Sequence, residues 1–266
     1  MSETHRKIIR YEAGQPLAAD DHIAIEQPLE IRLRNRSLSV TMRTPGHDNG
    51  LAAGFLLGEG LVNSKDDILS IDPCAFDREG NVINVKPSPS LKIDFEKLTR
   101  HVFASSSCGV CGKASIDAIH HLFPPINSDL KITAAAILSL PEKLRAAQPT
   151  FDQTGGLHAA ALFDQSGNFL ISREDIGRHN AVDKVLGWAL LQNHLPLSQH
   201  ILLVSGRASF EIMQKALAAR IAIVAAISAP SSLAIDFAEE SDQTLVGFLR
   251  PGRMNIYSHG HRIRFD

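Results

Sequence analysis

The second half of the chain alternates short apolar runs with amphipathic ones, and this alternation constrains the fold more than any other feature. Residues 201–205, 221–227 and 244–249 are apolar runs of strand length. Two helical patterns, residues 210–219 and 233–240, separate them. Strands that alternate with helices of this length are typical of a parallel sheet with helices on its faces. We therefore predict an α/β fold with a mostly parallel sheet covered on both faces.

A helix over about residues 134–147 and a hairpin with strands over residues 158–164 and 168–173 precede this alternation. A further helix begins near Arg178, and its apolar residues recur on one face. We expect that face to pack into the core, and we expect the opposite face, which carries Asp183, to be polar.

The N-terminal part predicts a smaller α+β unit. Its first 20 residues show no regular pattern and are expected to be irregular. Alternating apolar residues from His22 to Met42 predict short antiparallel strands. Asp48 or Asn49 can cap a helix, and a further strand is expected around residues 82–85.

A loop of small residues separates this unit from the second half. Residues 105–112 contain only small residues, cysteines and one valine, and they predict a mobile loop. Prolines at positions 124 and 125 end the helix that follows the loop. We therefore predict an N-terminal domain over residues 1–125 and a second domain over residues 126–266.

Charge and hydropathy exclude several classes of protein. The chain has 27 Lys and Arg against 29 Asp and Glu, a net charge of −2, which provides no broad basic surface for nucleic acid or an anionic membrane. No apolar run reaches the roughly 18 residues of a membrane-spanning helix. The polar N-terminus lacks the apolar core of a secretory signal. We expect a cytoplasmic protein that binds neither nucleic acid nor membrane.

The most informative segment is Cys108-Gly109-Val110-Cys111-Gly112. With Cys74 the chain has three cysteines, and an odd number in a long cytoplasmic chain excludes a structural disulfide framework. The glycines remove bulk around both sulfurs. The helix start that follows, together with Lys113, favours the thiolate form of the cysteines.

Four interpretations of the Cys108 and Cys111 pair stay open. The cysteines can be surface residues without a function, or metal ligands together with His120 and His121, although adjacent helical histidines point in different directions. They can also form a dithiol–disulfide couple. In the fourth interpretation a mobile cysteine accepts a group and hands it on. The composition of the loop favours this carrier, without identifying the group carried.

Three loops at strand ends form a second candidate site. They cover residues 205–209, 228–232 and 248–253, and parallel strands would bring them to one edge of the sheet. Hydroxyl side chains and backbone N–H groups at helix starts bind anions, and Arg207 and Arg250 can form paired hydrogen bonds with phosphate oxygens. We predict a phosphate-bearing ligand, such as a nucleotide, although the P-loop and Rossmann fingerprints are both absent.

Ionisable residues are concentrated at the junction over residues 173–184, which includes Arg178 and His179. This segment is either a solvated, salt-bridged helix start or part of a ligand site. His158, which begins an apolar strand, is either structural or functional. The histidines of the segment 259–261 are expected to face solvent.

Six segments together resemble the family of formate dehydrogenase accessory sulfurtransferases. They stand in the family's order, so a chance match is very improbable, and the resemblance covers nearly the whole chain after about residue 20. The segments are SCGVCG, TGGLHAAALF, REDIGRHNAVDKVLGWAL, VSGRASFEIMQKA, SAPSSLAIDFAEE and GFLRPGRMNIYS.

The resemblance implies a sulfur carrier that formate dehydrogenase needs for activity. A cysteine desulfurase would load a persulfide onto Cys108, with Cys111 as its partner. The sulfur would pass to the molybdenum of the bis(molybdopterin guanine dinucleotide) cofactor before insertion into apo-formate dehydrogenase, and GDP would mimic part of this cofactor. The alternatives are a cofactor-delivery chaperone without sulfur transfer and a dithiol oxidoreductase. The family also suggests a homodimer.

The resemblance places the cofactor at the segment FLRPGR, and the three loops at the strand ends, with the junction near Arg178 and with His158, add further residues to the site. The family is also similar to the cytidine-deaminase fold, which implies a three-layer α/β/α second domain. The zinc motifs of a working deaminase are missing, so we expect neither zinc nor another metal. The expected cofactor-binding residues are His158, Arg178, His179, Ser205, Gly206, Arg207, Ser228, Phe248, Leu249, Arg250, Pro251, Gly252 and Arg253.

Overall fold

A computed structural model of the chain describes residues 2–93 and 119–265. The predicted mobile loop, with Cys108 and Cys111, lies outside the described residues. Within the two described ranges, no helix is both long and apolar enough to cross a lipid bilayer.

The chain begins with a two-stranded hairpin, so the expectation of an irregular start is wrong. Strand β1 (Glu3–Glu12) pairs antiparallel with β2 (Gln15–Ala24) along its whole length. The turn residues Ala13 and Gly14 both have positive φ, at 52° and 83°, as a tight two-residue hairpin turn requires. Most side chains of the hairpin are exposed, so it lacks the alternating apolar pattern by which a strand is recognised in a sequence.

A four-stranded sheet and one helix follow the hairpin. The strand order of this sheet is β4-β3-β6-β5, and the predicted turn near Asn35 joins β3 to β4. The helix begins as predicted near Asp48, although His47 occupies the capping position and Asp48 instead pairs with Arg43 at 3.1 Å. The elements are β3 (Gln27–Leu33), β4 (Arg36–Arg43), α1 (Asp48–Gly58), β5 (Ile68–Pro73) and β6 (Val82–Pro87).

The remaining described residues form a second, larger sheet with helices around it. The predicted helices and strands of this half are all present. The short helix Pro149–Thr154 and the strands Ile132–Thr133, Arg253–Ser258 and Ile263–Arg264 are additional, and the first and last of these strands form a separate two-stranded sheet. The elements are β7 (Ile132–Thr133), α2 (Ala134–Ala146), α3 (Pro149–Thr154), β8 (His158–Asp164), β9 (Phe169–Asp175), α4 (Arg178–Leu191), β10 (His200–Val204), α5 (Phe210–Ala218), β11 (Ile223–Ala226), α6 (Ser232–Glu240), β12 (Thr244–Arg250), β13 (Arg253–Ser258) and β14 (Ile263–Arg264).

The larger sheet is mixed, so the prediction of a mostly parallel sheet is wrong. Its order is β13-β12-β11-β10-β8-β9, and only β10 with β11 and β11 with β12 pair in parallel. Two hairpins, β8–β9 and β12–β13, supply the antiparallel neighbours at its ends. The connections β9–α4–β10, β10–α5–β11 and β11–α6–β12 all run in the same direction across the sheet. Because such connections are right-handed, α4, α5 and α6 lie on one face of the sheet. Helix α2 contacts β8, β9, β10 and β12, so it covers the other face.

The two halves meet where α1 packs against α4, and glycines let the helix backbones touch. A Cβ atom on Gly187 would lie 1.8 Å from the carbonyl oxygen of Gly50, and one on Gly54 would lie 1.9 Å from that of Asp183. One connected apolar core continues across this contact, from Leu51 of α1 to Val185 of α4. The domain division at residue 125 stays a prediction.

Two buried ion pairs lie beside this helix contact. Lys184 Nζ is 2.6 Å from Asp175 Oδ2, and Lys215 Nζ is 2.7 Å from Asp183 Oδ1. Burial lowers the pKa of Lys184, and the Asp175 carboxylate opposes this effect. The face of α4 that carries Asp183 is polar as predicted, but it is buried rather than solvated, because α1 and α5 cover it.

We expect the substitution Gly187→Ala to destabilise the protein by at least about 3 kcal/mol, the upper end of the usual overpacking penalty, because the new methyl group would force the two backbones apart. Gly156→Ala is the matched control. Its Cβ would meet nothing closer than 3.6 Å, so its free energy of unfolding should change by less than about 0.5 kcal/mol. Urea unfolding of both variants tests this, and equal stabilities would contradict the role of the helix contact.

Candidate functional site

The ends of β10, β11 and β12 form one continuous edge of the larger sheet. The backbone N–H of Ala208 donates to the carbonyl oxygen of Ala229 at 3.2 Å, which joins the first two loops. The N–H of Phe248 donates to the oxygen of Ser228 at 3.0 Å, which joins the second loop to the third. The structure therefore brings Ser205, Ser228 and Phe248 to one edge, as parallel strand ends require.

His158 extends this edge towards the start of α4. It begins β8 and is paired with Asp175 across the β8–β9 hairpin. A Cβ atom on Gly206 would lie 3.4 Å from His158 Nδ1 and 3.3 Å from Arg178 Cβ, so the glycine lets these two side chains approach the loop. Burial, with a smaller contribution from the positive charge of Arg178, lowers the pKa of His158. His158 is therefore neutral at pH 7 and can accept a hydrogen bond.

His179 links the start of α4 to the start of α5. Its Nε2 lies 3.0 Å from the Glu211 carboxylate and 3.2 Å from Ser209 Oγ. The hydrogen bond from His179 lowers the pKa of Glu211 below its usual value. These contacts fix the imidazole beside the loop that follows β10.

The β12–β13 connection carries backbone strain at its exposed aromatic residue. Phe248 has φ of 49°, which is rare for a bulky side chain, yet its ring is 43% exposed. The pairing of β12 with β13 shifts register between Gly247 and Arg250, and the strain falls inside this irregularity. Strained residues of this kind concentrate at binding sites, so Phe248 is a candidate contact residue.

The arginines at this edge differ in their availability. Arg250 donates to the carbonyl oxygens of Ile227 and Leu249, so it also holds the loop in place. Arg207 and Arg253 are exposed. The buried Nε of Arg178 has no hydrogen-bond partner among the described residues, which leaves a donor available to an anion.

Other predicted residues contribute in ways that the sequence did not indicate. The Leu249 side chain is fully buried in the core, so this residue can offer only backbone atoms to a ligand. Pro251 and Gly252 form the exposed turn to β13, where Gly252 has φ of 75°. The catalytic candidates Cys108 and Cys111 lie outside the described residues.

The structure adds Glu211 to the candidate site, a residue that the sequence analysis missed, whereas Ser209 belongs to the predicted loop over residues 205–209. The signal for Glu211 was present, since it lies in the first turn of a helix that follows a strand end. Lys184, in contrast, does not belong to the edge. It is bound to Asp175 and donates to the Thr44 carbonyl oxygen at 2.8 Å, which makes it a structural residue.

Chemically, this edge suits a ligand with several phosphate groups and one ring. Arg178, Arg207 and Arg253 supply positive charge, and the start of α5 supplies backbone N–H groups. The exposed ring of Phe248 offers a surface for stacking. The neutral His158 adds an uncharged polar contact at one end.

Comparisons with known proteins agree over almost the whole chain. Residues 24–264 match the model of the FdhD/NarQ family. A relative from Mycolicibacterium paratuberculosis, called a sulfur carrier protein, is 49% identical over 98% of each chain. One of the same name from Saccharolobus solfataricus is 44% identical over 96% of each chain. A solved structure from Desulfotalea psychrophila, described as a candidate formate dehydrogenase accessory protein, shares 28% identity with a TM-score of 0.79, covering 99% of this chain and all of that one.

We expect His158→Asn to reduce the loss of stability on acidification. Because the pKa of His158 in the folded state lies below its ordinary value of 6.5, the unfolded chain takes up this proton first. The free energy of unfolding therefore falls as the pH drops below about 6.5, the ordinary pKa of histidine.

Urea unfolding at pH 7.5 and 5.5 measures this effect. The stability difference between the two pH values should be smaller in the variant than in the unsubstituted protein. The other titrating groups are present in both proteins and cancel in this comparison. An equal or larger pH dependence in the variant would contradict the assignment.

Proposed function

This chain belongs to the FdhD/NarQ family, and we propose that it is a sulfur carrier which serves formate dehydrogenase. The observation that carries the proposal is the full-length match to relatives that bear the name sulfur carrier protein, in a chain that holds a CxxC segment. A sulfur carrier needs an accessible thiolate, and Cys108 and Cys111 are the residues we assign to this role.

The proposed chemistry begins with a persulfide on Cys108. The Cys108 thiolate attacks the outer sulfur of a cysteine desulfurase persulfide, a new S–S bond forms, and the old S–S bond breaks with release of the desulfurase thiolate. In the second step the outer sulfur passes to the metal of the substrate, and Cys108 returns as a thiolate. The two electrons that convert this sulfur into a sulfido ligand come from the metal. By the spacing of the CxxC segment, we assign Cys111 as the partner of Cys108.

We further propose that the substrate is the bis(molybdopterin guanine dinucleotide) cofactor and that it binds at the strand-end edge. Support comes from the convergence of three loops, the unpartnered Nε of Arg178 and the exposed Arg207 and Arg253. Pyrophosphate groups are bound well by arginines and by helix starts. The exposed Phe248 is positioned to contact a ring of the substrate.

We also propose that the second half has the cytidine-deaminase fold. Its hairpin, three strand–helix steps and the order β9-β8-β10-β11-β12 support this proposal. In this proposal the junctions that hold zinc in a deaminase carry Arg178, His179 and the loop after β10, and these hold the phosphate groups instead. The chain would act in the cytoplasm as a homodimer.

We expect incubation with a cysteine desulfurase and free cysteine to add the mass of one sulfur atom to the peptide that contains Cys108. The variant Cys108→Ala should lose this addition, because it lacks the accepting thiolate. Cys74→Ala is the matched control and should load normally, since Cys74 stands in a different loop, at the end of β5. Mass spectrometry of the proteolytic peptides measures the added sulfur.

Loading that persists in Cys108→Ala would remove Cys108 from its role. A double variant, Cys108→Ala with Cys111→Ala, that still activates formate dehydrogenase fully would favour a delivery chaperone. A reversible disulfide that turns over protein substrates would favour a dithiol oxidoreductase.

We expect GDP to bind more tightly than ADP at the strand-end edge, with an affinity that falls as salt rises. Arg207→Gln should weaken GDP binding about tenfold, the effect of losing one charged hydrogen bond. Arg78→Gln, which changes an exposed arginine in the loop between β5 and β6, should leave the affinity unchanged. Calorimetry measures all three proteins, and equal binding of both nucleotides would contradict the assignment.

A further inference from the structure

The N-terminal hairpin brings together three side chains that are far apart in the sequence. Glu3 and His5 lie two residues apart on β1, so they share one face of the hairpin. His22 stands directly opposite His5 on β2. We propose that Glu3, His5 and His22 form a binding site for a divalent first-row transition metal ion, with zinc as the preferred probe.

The distances between these side chains suit a shared ion. His22 Nδ1 lies 3.1 Å from Glu3 Oε2, and the rings of His5 and His22 have centroids 4.2 Å apart. One ligand atom of each residue lies within 4.8 Å of the others. Ligands on a tetrahedral zinc ion with bonds of about 2.05 Å are about 3.3 Å apart. Because His5 is exposed, a small rotation of its side chain can bring its ring nitrogen from within 4.8 Å of the other ligand atoms to the distance that zinc requires.

The donor set determines the class of ion. Two imidazoles and one carboxylate are the ligands of many zinc sites that keep a fourth position for water. Nitrogen donors disfavour Ca²⁺ and Mg²⁺, which prefer oxygen ligands alone. Copper and nickel ions also bind such donor sets, so the site is not expected to be selective for zinc, which serves as the probe.

Neighbouring structure supports the carboxylate. With its amide oriented to donate, Gln153 lies 2.8 Å and 3.1 Å from the two oxygens of Glu3. This residue belongs to α3, which packs against β2. Hydrogen bonds of this kind orient metal ligands and raise metal affinity. The base of the hairpin is therefore a position that neighbouring structure supports.

A second histidine pair provides a contrast within the same chain. The rings of His259 and His261 have centroids 5.8 Å apart. However, both ring nitrogens of His259 are engaged, by Asp242 at 2.9 Å and by the Glu239 carbonyl oxygen at 2.8 Å. Proximity of histidines is therefore not sufficient. Among the described residues, the hairpin is the place where one ligand atom from each of three such side chains lies within 4.8 Å of the other two.

Zinc titration of the full chain by calorimetry tests the site. Thiolates also bind zinc, so the titration uses a background in which Cys74, Cys108 and Cys111 are replaced by serine. We expect one zinc ion per chain. His5→Ala and His22→Ala should each weaken binding at least tenfold, since even the loss of a residue that only supports a metal ligand costs about that much.

The matched control is His261→Ala, which removes an exposed histidine of the other pair and should leave the affinity unchanged. Glu3→Gln keeps the shape of the side chain but removes its charge, and it should weaken binding without changing the circular dichroism spectrum. Cobalt substitution gives a second measurement, because a tetrahedral Co²⁺ site has a visible absorption that both histidine variants should lose. Equal zinc affinity in all variants, or no stoichiometric binding, would overturn the proposal.

Discussion

The contact between α1 and α4 depends on three positions that lack a side chain. At Gly54 and Gly187 the two helix backbones lie closer than any Cβ atom would permit, and a Cβ atom on Gly50 would lie only 3.0 Å from the carbonyl oxygen of Lys184. This approach lets the leucines of α1 enter the core of the larger sheet, so the two halves share one apolar interior. The candidate site depends on it indirectly, because α4 also provides Arg178 and His179.

Buried charged residues beside the contact between α1 and α4 also stabilise it. Asp175 accepts hydrogen bonds from the backbone of Thr44, from Gly177 and from Asn180, and it pairs with Lys184. Each of these donors compensates part of the free energy lost when the carboxylate leaves water. Asp175 thus connects the N-terminal sheet to β9, the strand that pairs with β8 and its first residue, His158. The same residue therefore helps to position both the two halves and the strand-end edge.

Much of the second half could be predicted from its sequence. The strands β10, β11 and β12 are apolar and bounded by loops, and the helices between them are amphipathic, so their order and extent followed from periodicity. The direction of pairing did not follow, because a six-residue strand has the same pattern in a parallel or an antiparallel pair. Strand β13 was not predicted because most of its side chains are exposed or partly exposed, so it has no continuous apolar run. Its antiparallel pairing with β12 contributes to the mixed sheet.

Long-range polar contacts were the hardest features to predict. The hairpin β1–β2 has exposed side chains, so no apolar alternation marks it, and its metal-ligand geometry depends wholly on its register. The burial of Asp183 and Lys184 could not be derived from α4 alone, since it arises from α1 about 130 residues earlier. The three strand-end loops were correctly brought together because one rule of sheet topology governs them.

The long separation between α1 and α4 has a consequence for biosynthesis. A ribosome that adds about 5 to 20 residues per second needs roughly 6 to 24 s to pass from the end of α1 to the start of α4. During this interval the leucines of α1 lack the α4 surface against which they pack in the folded protein. The nascent N-terminal portion therefore exposes apolar side chains until α4 has been synthesised.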